Sequence, residues 1–93
     1  MDFFRPCLVF FNSENIDCDT FKEDLQMKLL LQQYEIPIEL IDISDSSNNN
    51  ILEIYGIKKS ENPIYVIEDG SNIQPFFDFD SYLNGLHETM RRS

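Results

Sequence analysis

The chain has 93 residues, 42% of them apolar and including eight Phe and four Tyr, which is enough for one packed domain and too little for two. Seventeen Asp and Glu against seven Lys and Arg leave a formal net charge of −10. Such a surface repels phosphate backbones and anionic lipid, so nucleic acid and membrane are excluded as expected partners, and a basic or neutral protein fits better. The two cysteines, Cys7 and Cys18, form no disulfide framework, and with one His no usual zinc site can be assembled. The start of the chain has too short an apolar stretch for a signal segment or a membrane span, and the cytosol is the expected compartment.

The first predicted element is "CLVFF", Cys7 to Phe11, a continuous apolar run that reads as a central strand buried on both faces. After the polar turn "NSENID" comes a helix. Thr20 and Glu23 stand at capping-box spacing, Asp17 and Asp19 add charge favourable to the helix dipole, and Pro37 ends the segment after about Tyr34. "IPIELIDIS", Ile36 to Ser44, alternates apolar and polar residues as a second strand, parallel to the first because a helix intervenes. "DSSNNN" reads as a loop or helix cap, and "ILEIYG" as a short helix with Gly56 placed for its C-terminal cap. In "NPIYVIEDGSNIQPFF" a hairpin is expected, with strands from Ile64 to Ile67 and up to about Phe77 and a turn on Asp69 and Gly70. The last element is a helix carrying Phe79, Tyr82, Leu83, Leu86 and Met90 at helical spacing, with Asp78 as N-cap and Arg91 and Arg92 at its favourable end.

The expected fold is therefore α/β, in the order β-α-β-α-β-β-α with a four-stranded mixed sheet, in a single domain over 1–93. This is the layout of the thioredoxin/glutaredoxin fold. Within it, the spacing from "LVFF" to "IELIDIS", the "NPIYVI" segment and the closing "FFDFDSYLNGLHE" resemble the SH3-domain-binding glutamic-acid-rich-like proteins, a glutaredoxin-like branch. The resemblance implies a protein that has lost the redox cysteine pair and acts as an adaptor or regulator. It also implies a cis peptide bond before Pro63. The family's proline-rich stretch before the third strand is here only "SENP", Ser60 to Pro63.

A dithiol mechanism needs two cysteines about one helical turn apart, and "NIDC" and "CDTF" supply one each. Cys18 is the candidate nucleophile for a monothiol mechanism with glutathione, at a helix start but beside Asp17, Asp19 and Glu14, whose like charge opposes a thiolate. For the rest of a glutathione site the resemblance points to Asn62 and Pro63 along the peptide and to Asp78 and Asp80 at the γ-glutamyl end. Phe77 stands there in place of the usual glycine and would crowd the approach. The bland reading of Cys18 is a small semi-buried hydrophobe, and that of His87 a helix-edge residue.

Wound at 100° per residue, the first helix carries two apolar stripes. Met27, Leu30, Leu31 and Tyr34 form one, and Phe21, Leu25 and Leu29, with Cys18 nearby, the other. One stripe is expected on the sheet. The second, Phe21, Leu25 and Leu29, is expected either under the closing helix and the loop after the second strand or, with Phe76 and Phe77, at an interface with another protein or a second copy. The leading expectation is a non-catalytic binding protein with no cofactor and no metal. The alternatives are a monothiol glutaredoxin using Cys18 and a structural subunit of a larger complex.

Overall fold

The computed structural model describes residues 6–69 and 72–92 and is an α/β fold with one four-stranded mixed sheet and three α-helices. The strands are β1 (Cys7–Phe11), β2 (Ile38–Asp42), β3 (Ile64–Asp69) and β4 (Asn72–Phe76), and the helices are α1 (Cys18–Leu31), α2 (Asn49–Tyr55) and α3 (Phe79–Arg92). The sheet order is β2-β1-β3-β4. β1 and β2 are parallel, with Val9 opposite Leu40, and β3 is antiparallel to both of its neighbours. The expected turn residue Gly70, and the side chains of Met90 and Arg92, lie outside what is described.

Side chains alternate across β1 and β3, and the alternation builds two cores. Cys7, Val9, Tyr65 and Ile67 face α1 and α3, where they meet Leu25, Leu29, Tyr82 and Leu86. Leu8, Phe10, Ile64 and Val66 face the other way, onto Leu52 of α2 with Ile41 and Ile43. The sheet is thus covered by two helices on one side and one on the other. Every residue of β1 is buried, as a strand between two cores must be.

The helix boundaries differ from the sequence expectation for local reasons. α1 is capped by Asp17, not Thr20: the Asp17 carboxylate accepts from the Thr20 N–H at 3.0 Å and the Thr20 hydroxyl at 2.7 Å, which moves the start three residues back. The helix stops at Leu31 because Gln33 takes a left-handed conformation with φ of 66°. The Gln33 and Tyr34 N–H groups then bond back to the Leu30 and Leu29 carbonyls, the pairing that closes a Schellman end. α3 repeats the first device, with Asp78 accepting from the Ser81 N–H at 2.8 Å and its hydroxyl at 3.0 Å. Gly56 caps α2 at φ 66°, and the segment expected as a loop or helix cap holds a 3₁₀ turn over Ser46–Asn48 capped by Asp45, with Asn48 at the N-cap position of α2.

The two stripes of α1 are disposed the other way round from the interface expectation. Leu25 and Leu29 are each 1% exposed and lie in the core, where α3 helps to cover them, while Met27, Leu30 and Leu31 are 64%, 56% and 76% exposed. Phe21 is half-buried, its ring stacked 6.2 Å from Phe11, and Phe76 packs edge-on against Tyr82 with Gly85 close beneath it. A Cβ at Gly85 would come 2.4 Å from the Phe76 ring, so that position keeps its glycine for close approach. Of the expected interface residues only Phe77 is open to solvent, at 67%. Leu29→Ala should therefore cost about 2–5 kcal/mol of unfolding free energy, against about 0.5 kcal/mol or less for Leu31→Ala. Urea denaturation of the two variants checks the assignment, and equal losses would refute it.

Candidate functional site

The end of the sheet where β1 and β2 terminate carries the thiol corner. Cys18 opens α1 there and is exposed. Pro63 precedes Ile64, which pairs with Phe10, so the register sets Pro63 across from the end of β1. The Asn62–Pro63 bond is trans, since no peptide bond among the described residues is cis; this corrects the geometry implied by the resemblance and follows the ordinary preference of an X–Pro bond. Asn62 is exposed and its N–H is held by the Ser60 hydroxyl at 3.2 Å.

Asp78 and Asp80, at the start of α3, are both exposed but are not gathered around Cys18. Phe79 between them sits under Lys28, whose Nζ lies 5.5 Å from the ring centroid. Lys28 is ten residues along α1 from Cys18, about 15 Å at the helical rise and in the last turn, so these carboxylates belong beside the far part of that helix and not beside its start. The candidate thiol and the candidate γ-glutamyl end are thus held on different turns.

Cys7 offers Cys18 no partner. It is 0% exposed in the core, burial pushes its thiol up to about 11 against a smaller opposing effect of its hydrogen bond with Tyr82, and it stays protonated at neutral pH. Burial also pushes Tyr65 up to about 12 and raises Tyr82, so both rings in this core are neutral phenols. Tyr34, three residues beyond α1, meets His87, whose Nδ1 is 2.8 Å from the phenol oxygen, which makes His87 a fastener between the segment after α1 and α3.

The polar hub of the corner is Asp42, which sequence reading missed. Its Oδ1 accepts from the Ser13 N–H at 3.1 Å, the Ser44 N–H at 3.0 Å and the Ser44 hydroxyl at 2.7 Å, and the two serine hydroxyls are 2.9 Å apart. Burial by itself would raise the carboxyl, but the hydrogen bonds from Ser13 and Ser44 outweigh it and hold it down to about 2. The Asp42 carbonyl also accepts from the Asn48 side chain at 2.9 Å. The cluster ties the loop after β1 to the loop after β2. The only signal for it in the sequence was an Asp ending a strand two residues before a Ser, a pattern common enough to pass unnoticed.

Carboxylates flank the corner along the chain, with Asp17 and Asp19 on either side of Cys18, Glu14 in the loop after β1 and Asp45 in the loop after β2, all four exposed. No three His, Cys, Asp or Glu side chains come together as a metal-binding group among the described residues. No described helix is long and apolar enough to cross a membrane. The second feature of note is the open apolar surface of Met27, Leu30 and Leu31 on α1, which sequence reading had assigned to the sheet. The chain matches no protein-family model, no curated protein and no solved structure.

Two outcomes follow from this geometry. A thiol reagent should modify one cysteine of the native protein within minutes and two in denaturant, with the fast site lost in Cys18→Ser; rapid modification of both native thiols would contradict the buried setting of Cys7. Because the Asp42 carboxyl lies below its ordinary 3.8 in the folded protein, its contribution is complete above about pH 4 and lost as pH falls toward 2. The stability gap between wild type and Asp42→Asn should therefore narrow over that interval in urea titrations. A gap that is constant with pH would show that the hydrogen bonds do not distinguish the ionised form.

Proposed function

We propose that the chain is a thioredoxin-like domain of the glutaredoxin-like, SH3-domain-binding glutamic-acid-rich-like type, which performs no thiol exchange and acts by binding another protein. The layout supports the fold reading: a parallel βαβ unit, a short helix, an antiparallel hairpin and a closing helix, with helices on both faces of the sheet. The observation that carries the functional reading is the placement of the two thiols. Cys18 is exposed at the corner while Cys7 is 0% exposed inside the core, so a resolving cysteine is missing where a dithiol mechanism needs one. Carboxylates around the corner weigh further against an anionic thiol substrate such as glutathione. The net charge of −10 and the open apolar side chains of α1 favour a protein partner.

The second reading, a monothiol glutaredoxin, rests on the exposure of Cys18 at the first residue of α1, where a helix N-terminus favours an anion. Reduction of a small mixed disulfide by glutathione separates the two readings. The expected result is a rate no greater with wild type than with Cys18→Ser. A robust rate that is lost in Cys18→Ser would overturn the binding role in favour of the monothiol enzyme.

A further inference from the structure

The sheet has two edges, and they are not equivalent. β4 contains Pro75, which has no N–H to offer and blunts that edge against an added strand. β2 has no such guard: Pro37 stands before it, and Ile38 to Ile41 carry no proline. In the parallel ladder the Pro37 carbonyl and the Ile43 N–H bond inward to Cys7 and Phe11. The alternation of the ladder then turns the N–H and C=O of Ile38 and Leu40 outward. Among the described strands nothing pairs with this edge.

Above the start of the same edge lies a groove of about 380 Å³, lined by Leu29, Leu30 and Tyr34 of the α1 segment and by Glu35, Ile36 and Pro37 leading into β2. Ile38 and Leu40 point their side chains to the face that α1 covers. A strand laid along β2 would therefore place alternate side chains under Leu30, at the groove. The surrounding charge is one-sided. Asp19 and Glu23 share the helical face of Leu30, and Glu35 lines the groove. Of the two lysines of α1, Lys28 is engaged elsewhere, 3.1 Å from Asp24 and over the Phe79 ring, which leaves Lys22 against those three carboxylates.

We infer that β2 and the groove beside it receive an extended segment of a basic protein, which joins the sheet as a fifth strand with apolar side chains toward Leu30 and alternate Lys or Arg on the opposite face toward Glu39, within the negative field to which Glu35 and the carboxylates of α1 contribute. This rests on the protein-binding reading and names its surface and partner chemistry. A second copy is the poorer occupant, because edge-to-edge pairing would bring together two chains of net charge −10 with Glu39 on each edge strand.

The test uses the full chain and a short labelled peptide of alternating Val and Lys, with a control peptide N-methylated at alternate amides so that it cannot extend a ladder. The expected result is saturable binding of the first peptide only, with amide NMR shifts at residues 26–40. Leu30→Glu should weaken binding about tenfold although it adds a negative charge, and Glu35→Lys should weaken it too. Leu30 is 56% exposed, so both variants should keep the wild-type circular dichroism. Binding that is unchanged or tighter in Leu30→Glu would reduce the effect to charge attraction and overturn the inference. So would shifts centred on β4 or α2, or a dimer by light scattering that Leu30→Glu dissociates. None of these outcomes touches the reading of Cys18, which the glutathione assay decides separately.

Discussion

Five consecutive side chains of β1, Cys7 to Phe11, leave water together, and the rest of the molecule is arranged so that they can. A strand with no solvent face must have a sheet neighbour on each side and a helical layer above and below. β2 and β3 supply the neighbours, α1 and α3 one layer, and α2 the other. Each fully buried Leu, Val or Phe of this kind is worth about 1.5–3 kcal/mol relative to exposure, so the two cores are the main source of stability in so short a chain. The same constraint removes Cys7 from chemistry. Its thiol lies on the α1 face among Leu25, Leu29 and Tyr82, where burial keeps it neutral.

The open apolar surface follows from what those cores leave over. α1 spends Leu25 and Leu29 on the sheet and on α3, and Met27, Leu30 and Leu31 remain outside. At the other end of the helix the loops after β1 and β2 are knotted by the Asp42 carboxylate with Ser13 and Ser44, a polar closure that holds the corner in shape without providing a base or a second thiol. The corner that could carry redox chemistry is therefore acidic and singly thiolated, and the apolar surface lies along the helix and the free edge of the sheet. The two regions are connected through α1 and differ in character, which is why a binding role and a thiol role can be tested independently.

Much of the chain was legible residue by residue. Apolar runs and alternation gave the strands, Asp78 gave the start of α3, Gly56 gave the end of α2, and the absence of a cysteine pair at the corner was plain. The misread elements share a cause. The start of α1 depended on which of several polar residues, Asp17 or Thr20, captured the free N–H groups, and its end on Gln33 accepting a left-handed conformation that glycine usually takes. Both are choices among near-equivalent local options.

What the sequence determined alone was the element order, the buried character of β1, the acidic surface and the lack of a paired thiol, because each depends on the pattern or count of residues near one another in the chain. Only the tertiary structure decided which apolar stripe of α1 faces the sheet, since two stripes of similar hydrophobicity sit on one helix and the choice is made by the fit of Leu25 and Leu29 against Val9, Tyr82 and Leu86. It likewise decided the Asp42 cluster, which joins residues 29 and 31 positions apart, and the open edge of β2, which exists only once strand order is set. These are long-range contacts, and a contact between distant segments is fixed by packing and sheet order rather than by local residue preference.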